Sequence, residues 1–117
     1  MTMLKPILIV LTAAAGGPPH LSLAPAETAE ECLGRAAVLG RVLTEAETEI
    51  HAIRCGATSL AVEPYVPGAE ASAYVHRWRV EIGEDAAEIA PLAEGEACEA
   101  SEGVFCAVSA QAVIGAE

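Results

Sequence analysis

The sequence predicts an α+β domain in which one N-terminal helix packs on an antiparallel sheet of three or four strands, stabilised by disulfides. Helical periodicity follows Thr28, and residues 72–82 alternate from face to face as a strand does. Four cysteines lie in a chain of 117 residues whose aromatic content is 3%. A core with so few large side chains is expected to be thin, so covalent cross-links would supplement its stability.

Residues 1–26 have the organisation of a secretory signal peptide. Lys5 provides the positive n-region, residues 7–15 form the apolar h-region, and Ala24-Pro25-Ala26 is an A-x-A cleavage site. The apolar run is about half of the ~20 residues that span a bilayer, so no transmembrane helix is predicted. Cleavage after Ala26 would leave residues 27–117 as a single small α+β domain, periplasmic or extracellular and without membrane attachment.

The same N-terminal segment has a second interpretation. Residues 5–11 would then be the buried first strand of a cytosolic α/β domain whose thiols stay reduced. The intact mass of the protein from its native host separates the two, because it reports both cleavage and the hydrogens lost on disulfide formation.

The predicted helix begins after Thr28. Thr28 and Glu31 have the T-x-x-E spacing of a capping box, in which the threonine hydroxyl accepts a hydrogen bond from the Glu31 amide. Apolar residues then recur close to every 3.6 positions: Cys32, Leu33, Ala36, Ala37, Leu39 and Leu43. Residues 48–55 are interpreted as a strand because β-branched residues cluster before Gly56. A second capping-box spacing just before them leaves a second helix open.

The most regular strand pattern covers residues 72–82. One face carries Tyr74, His76, Trp78, Val80 and Ile82. Trp78 is therefore predicted to be buried between helix and sheet. A shorter strand is predicted at residues 57–63, before a loop at residues 64–68 whose two prolines and glycine interrupt ladder pairing.

The C-terminal part is predicted to form a turn, a short helix, a loop and a final strand. Residues 83–85 turn the chain, and Asp85 with Glu88 is predicted to cap a short helix that ends at Pro91. Residues 94–102 are acidic and rich in small side chains, which is typical of a surface loop. Residues 103–114 form one strand or a bent pair of strands. One side of this last segment carries Val104, Cys106, Val108, Ala110, Ala112 and Ile114.

The four cysteines predict a disulfide framework. Cys32, Cys55, Cys98 and Cys106 all follow the cleavage site, and an even count in a short exported chain is typical of disulfides. Three pairings are compatible with the sequence, and we favour the sequence-adjacent one, Cys32–Cys55 with Cys98–Cys106. The spacings contain no C-x-x-C, so a zinc site is not predicted.

The charge of the chain predicts the kind of partner it prefers. Seventeen acidic residues stand against six basic ones, giving a net charge of −11. Such a surface repels nucleic acid and favours cationic partners. No nucleophile elbow, phosphate-binding loop or dinucleotide motif occurs, so neither an enzyme nor a cofactor is predicted. The sequence indicates a small exported binding protein, in its sharpest form an inhibitor of a basic wall-degrading hydrolase.

Two groups of residues are candidates for binding. Arg77, Trp78 and Arg79 combine the side chains typical of interface hot spots, although a solvated sheet face explains the two arginines as well. The acidic loop supplies Glu94, Glu96, Glu99 and Glu102. The alternatives are a cytosolic interaction protein with an uncleaved first strand, and a metal carrier that uses His51, His76 and glutamates.

Overall fold

The computed structural model describes residues 4–14, 17–65, 70–84, 87–93 and 95–115. It contains one α-helix, a short 3₁₀ helix at Ala71–Ala73, and eight strands in the described residues. The elements in chain order are β1 (Lys5–Thr12), β2 (His20–Pro25), α1 (Ala29–Glu45), β3 (Ile50–Thr58), β4 (Ala61–Val62), β5 (His76–Ile82), β6 (Ala87–Pro91), β7 (Val104–Ser109) and β8 (Val113–Gly115).

Six of the strands form a mixed sheet that nearly closes into a barrel. Their order is β3-β1-β2-β7-β5-β6, and only the β2–β7 pairing is parallel among these neighbours. The two end strands approach each other so closely that a Cβ added at Gly56 of β3 would lie 2.7 Å from the Ala87 carbonyl oxygen of β6. The predicted antiparallel sheet of three or four strands is therefore wrong, while the single helix and the disulfides are present.

The larger sheet arises from residues that the sequence prediction assigned to the signal peptide. β1 pairs with β2 on one side and with β3 on the other, and its inward side chains Ile7, Ile9 and Leu11 are buried. An apolar run of this kind suits an h-region and an interior strand equally well. Export with cleavage after Ala26 stays a prediction, and such cleavage would remove two of the six strands.

The barrel interior forms the main hydrophobic core. In this core, Trp78 and Val80 of β5 pack with Leu21 and Leu23 of β2 and with the inward side chains of β1. Burial of Trp78, which is 1% exposed, confirms part of the prediction. The indole lies inside the barrel, however, and not beneath the helix, because the sheet curves until both of its ends enclose that face.

Helix α1 covers the outer face of β1 and β3. Thr28 caps it as predicted, since its hydroxyl accepts from the Glu31 amide at 3.0 Å. Leu39 and Leu43 pack in a second cluster with Leu8 and other outward residues of β1 and β3.

The interpretation of residues 48–55 as a strand is confirmed, because β3 covers residues 50–58.

Both predicted disulfides are present. Cys32–Cys55 joins α1 to β3, and Cys98–Cys106 joins the acidic loop to β7, each with a Cα–Cα distance of 6.0 Å. Paired cysteines of this kind are typical of oxidising, extracytoplasmic surroundings. A separate finding is that no helix in the described ranges has the length and apolar character to cross a bilayer.

Two predictions for the C-terminal part are corrected. The predicted helix before Pro91 is strand β6, because Ala87 and Ile89 alternate inward opposite Ile82 and Val80; the proposed cap Asp85 lies outside the described residues. Residues 103–114 contain two strands, β7 in the six-stranded sheet and β8, which pairs with β4 in a separate two-stranded sheet. The fully buried residues of β7 are Ala107 and Ser109, on the opposite face from the apolar series that the alternation emphasised.

Candidate functional site: a cleft at the barrel mouth and an adjoining acidic loop

Gln111 organises the mouth of the barrel. It is 3% exposed, and its side-chain amide accepts from Leu23 N at 2.8 Å and donates to Leu23 O at 2.7 Å. The same amide nitrogen donates to the Glu63 carbonyl oxygen at 2.7 Å. Its backbone carbonyl accepts from Trp78 Nε1 at 3.2 Å. One glutamine thus joins β2, the segment after β4 and the indole, and both donors and the oxygen of its side-chain amide have partners.

A half-open cleft of about 510 Å³ lies next to this network. It is formed by the start of β5, the segment that follows β6, and β8. Most of its walls are apolar, including Leu60, Trp78, Pro91, Leu92, Ala112 and Val113. Hydrogen bonds hold these residues in place. On the wall, Leu92 N donates to the Arg77 carbonyl oxygen at 2.9 Å. The buried Trp78, called the floor of the cleft below, is fixed by its hydrogen bond to Gln111.

The cleft has one formally charged residue, Arg77, among its described lining residues. His76 and Arg77, both exposed, border it, and none of its described lining residues is acidic. Glu94, which falls between the lining residues Ala93 and Gly95, lies outside the described residues. Glu96 adjoins the cleft, because its carboxylate accepts from the backbone N of the lining residue Ala93 at 2.8 Å.

The structure separates the three residues of the predicted Arg77–Trp78–Arg79 group. Strand alternation turns Trp78 into the barrel and both arginines outward. Arg77 and Trp78 meet again at the cleft, whereas Arg79 lies beside Glu81 at 4.0 Å and lines a different depression. The strand therefore does not present the three side chains as one surface.

The acidic loop, residues 95–102, is fixed at several points. Cys98 is bonded to Cys106 of β7, and Ser101 and Val104 exchange two backbone hydrogen bonds of 3.1 and 3.0 Å. The Glu96 carboxylate accepts from Ala93 N at 2.8 Å, which closes the start of the loop beside the cleft. Glu96, Glu99 and Glu102 are all exposed. These three of the four predicted loop glutamates thus stand on a cross-linked frame.

The histidines considered for a metal carrier lie on different strands. His51 of β3 sits beside Phe105, with ring centroids 5.6 Å apart, whereas His76 of β5 borders the cleft. Within the described ranges, no three His, Cys, Asp or Glu residues are grouped to hold a metal ion.

The sequence reasoning missed the cleft itself and Gln111. The cleft joins segments distant in the chain, around residues 60, 77, 92 and 112, and only the barrel closure brings them together. The sequence does contain one signal for Gln111. It is the single amide side chain in an apolar alternating segment, and a buried amide needs internal hydrogen-bond partners.

Comparisons with protein families, curated proteins and solved structures found no match to this chain.

Proposed function

We propose that this chain is a small non-catalytic binding protein of the periplasm or the extracellular space, which recognises a basic protein through its acidic loop. The observation that carries the proposal is the exposure of Glu96, Glu99 and Glu102 on a loop closed by Cys98–Cys106. A basic wall-degrading hydrolase is the partner class that best suits the charge, the size and the oxidising compartment.

The cross-linked frame supports recognition as well as attraction. A net charge of −11 speeds encounter with any cationic protein, but such attraction is not selective. A loop already held by a disulfide loses less conformational freedom on binding, so more of its contact energy remains as affinity. The loop is therefore a better candidate for selective contact than the equally acidic ends of α1.

Whether residues 1–26 are retained or cleaved determines which form of the protein binds its partner. Burial of Ile7, Ile9 and Leu11 supports a folded form that keeps β1 and β2. Removal of residues 1–26 and the six-stranded barrel exclude each other. We therefore propose that the binding form retains residues 5–25, so its assignment to an oxidising compartment rests on the two disulfides and not on cleavage after Ala26.

Isothermal titration with a strongly basic lysozyme, at low and high salt, tests the proposal. The loop variant Glu96→Gln/Glu99→Gln/Glu102→Gln is compared with Glu30→Gln/Glu45→Gln/Glu47→Gln on and beside α1, which removes the same number of charges from exposed positions. We expect salt-sensitive binding that the loop variant weakens about tenfold and the control variant changes by about twofold or less. Equal weakening by both variants would indicate unselective attraction, and absence of binding at low salt would refute the proposal.

A further inference from the structure

We propose that the cleft at the barrel mouth is a separate binding site for a small aliphatic monocarboxylate, with Arg77 holding the carboxylate and the apolar walls holding the chain. This inference does not rest on the acidic loop or on the proposed protein partner. It rests on the size of the cleft, the character of its walls and the sign of the charge at its edge.

The size and walls suit a small apolar body. A volume of about 510 Å³ lies within the range of pockets that hold small molecules, which is about 300–1,000 Å³. Leu60, Leu92 and Val113 line the cleft, and the buried indole of Trp78 forms part of its floor. An alkyl chain placed there would leave water for apolar surroundings, which is favourable in proportion to the area buried.

The charge at the edge specifies the head group. Arg77 is the one formally charged residue in the described lining of this cleft, and the adjoining Glu96 carboxylate already accepts from Ala93 N at 2.8 Å. An arginine guanidinium binds a carboxylate through two parallel hydrogen bonds, which gives strength and a fixed orientation. A cationic head would instead meet Arg77 as a like charge.

Three of the other four arginines have polar partners elsewhere in the structure. Arg35 pairs with Glu31 at 3.2 Å, and Arg79 lies 4.0 Å from Glu81. Arg54 donates to the carbonyl oxygens of Gly83 and Ile53. Arg77 is distinguished from these three by its place at the edge of an apolar cleft.

The walls of the site are preorganised. The Trp78–Gln111 hydrogen bond fixes the floor, and the Leu92–Arg77 backbone hydrogen bond holds the segment after β6 against β5. A ligand would enter a formed cleft and would not have to order it. A narrower groove of about 160 Å³ between α1 and β2 has no charged lining residue, so it offers no comparable head-group selection.

The experiment is a titration of the full chain with octanoate, octan-1-ol and octylamine, which share an alkyl chain and differ in head group. Trp78 is the only tryptophan, so its fluorescence reports directly on the floor of the cleft. Calorimetry supplies an independent affinity. Arg77→Gln is the test variant, and Arg79→Gln is the matched control, from the same strand and also exposed but outside the cleft.

We expect octanoate to change the Trp78 fluorescence and to bind about tenfold or more tightly than the alcohol or the amine. Arg77→Gln should weaken octanoate about tenfold, Arg77→Lys less, and Arg79→Gln about twofold or less. The proposal is overturned if octanoate gives neither heat nor a fluorescence change, if the three ligands bind alike, or if Arg77→Gln binds as the wild type does. Lysozyme binding is unaffected by any of these outcomes, so the two proposals fail independently.

Discussion

The indole nitrogen of Trp78 donates a hydrogen bond of 3.2 Å to the backbone carbonyl oxygen of Gln111, inside the barrel. Through the side chain of that glutamine, the same contact reaches both backbone polar groups of Leu23. The pair links β5 to β2, which are not neighbours in the sheet. It fixes the mouth of the barrel and the floor of the cleft together.

Replacing Trp78 by alanine should remove most of the stability of the fold. The side chain is 1% exposed, and deleting a buried tryptophan costs about 3–5 kcal/mol through lost burial and the cavity left behind. Urea denaturation of Trp78→Ala, followed by circular dichroism, measures the loss. A change below about 1 kcal/mol would mean that the indole does not lie in the core.

Gln111→Leu should destabilise the protein although it makes the interior more apolar. It leaves the amide and carbonyl of Leu23 and the carbonyl of Glu63 without this partner. The two Leu23 groups are buried, and each buried group left unpaired costs about 1–3 kcal/mol, so a total loss of at least about 2 kcal/mol is expected. Ser109→Ala, which removes a single acceptor for Gln111 N, is the comparison and should cost about 1 kcal/mol. A neutral or stabilising Gln111→Leu would contradict the network.

Two glycine-to-alanine substitutions should have opposite effects. At Gly56 the added Cβ would lie 2.7 Å from the Ala87 carbonyl oxygen and 3.0 Å from Ile9 Cδ1, so the barrel closure must open to admit it. At Gly34 nothing lies within 4 Å, and alanine should stabilise helix α1 by about 1 kcal/mol. Thermal denaturation of both variants tests the closure, since an open sheet would tolerate alanine at position 56.

Residues 27–117 alone should fail to form the barrel. They lack β1 and β2, and with them the buried side chains Ile7, Ile9, Leu11, Leu21 and Leu23. We expect the full chain to unfold cooperatively and the shortened chain to show no cooperative transition. A stable 27–117 domain would favour cleavage after Ala26, and the intact mass of the native protein would then identify the mature form.

The sequence predicted the local features and missed the closure of the sheet. Periodicity and capping identified α1, because these signals lie within short stretches. The even cysteine count predicted two disulfides, and of the three possible pairings the favoured sequence-adjacent one is confirmed. The N-terminal apolar run satisfies the physical requirements of a leader and of an interior strand, so the pattern alone did not decide between them. Strand β6 was assigned to a helix since a five-residue segment shows little period.

The candidate site was predictable only in part. The exposed glutamates of the acidic loop follow from composition, and their cross-linking follows from the cysteine pairing. The cleft could not be predicted from the sequence. Arg77 borders apolar residues that come from β5, β8 and the segment after β6. Such a meeting depends on the register of a nearly closed barrel, which no local pattern encodes.

The most direct test of the proposed function keeps every charge and opens the acidic loop. Cys98→Ser/Cys106→Ser retains Glu96, Glu99 and Glu102 and the net charge of −11, but releases the loop from β7. If recognition depends on the fixed loop, the folded variant should bind the basic lysozyme at low salt about tenfold more weakly than the wild type by calorimetry. Equal affinity of the two folded proteins would contradict the account, because charge alone would then explain the binding.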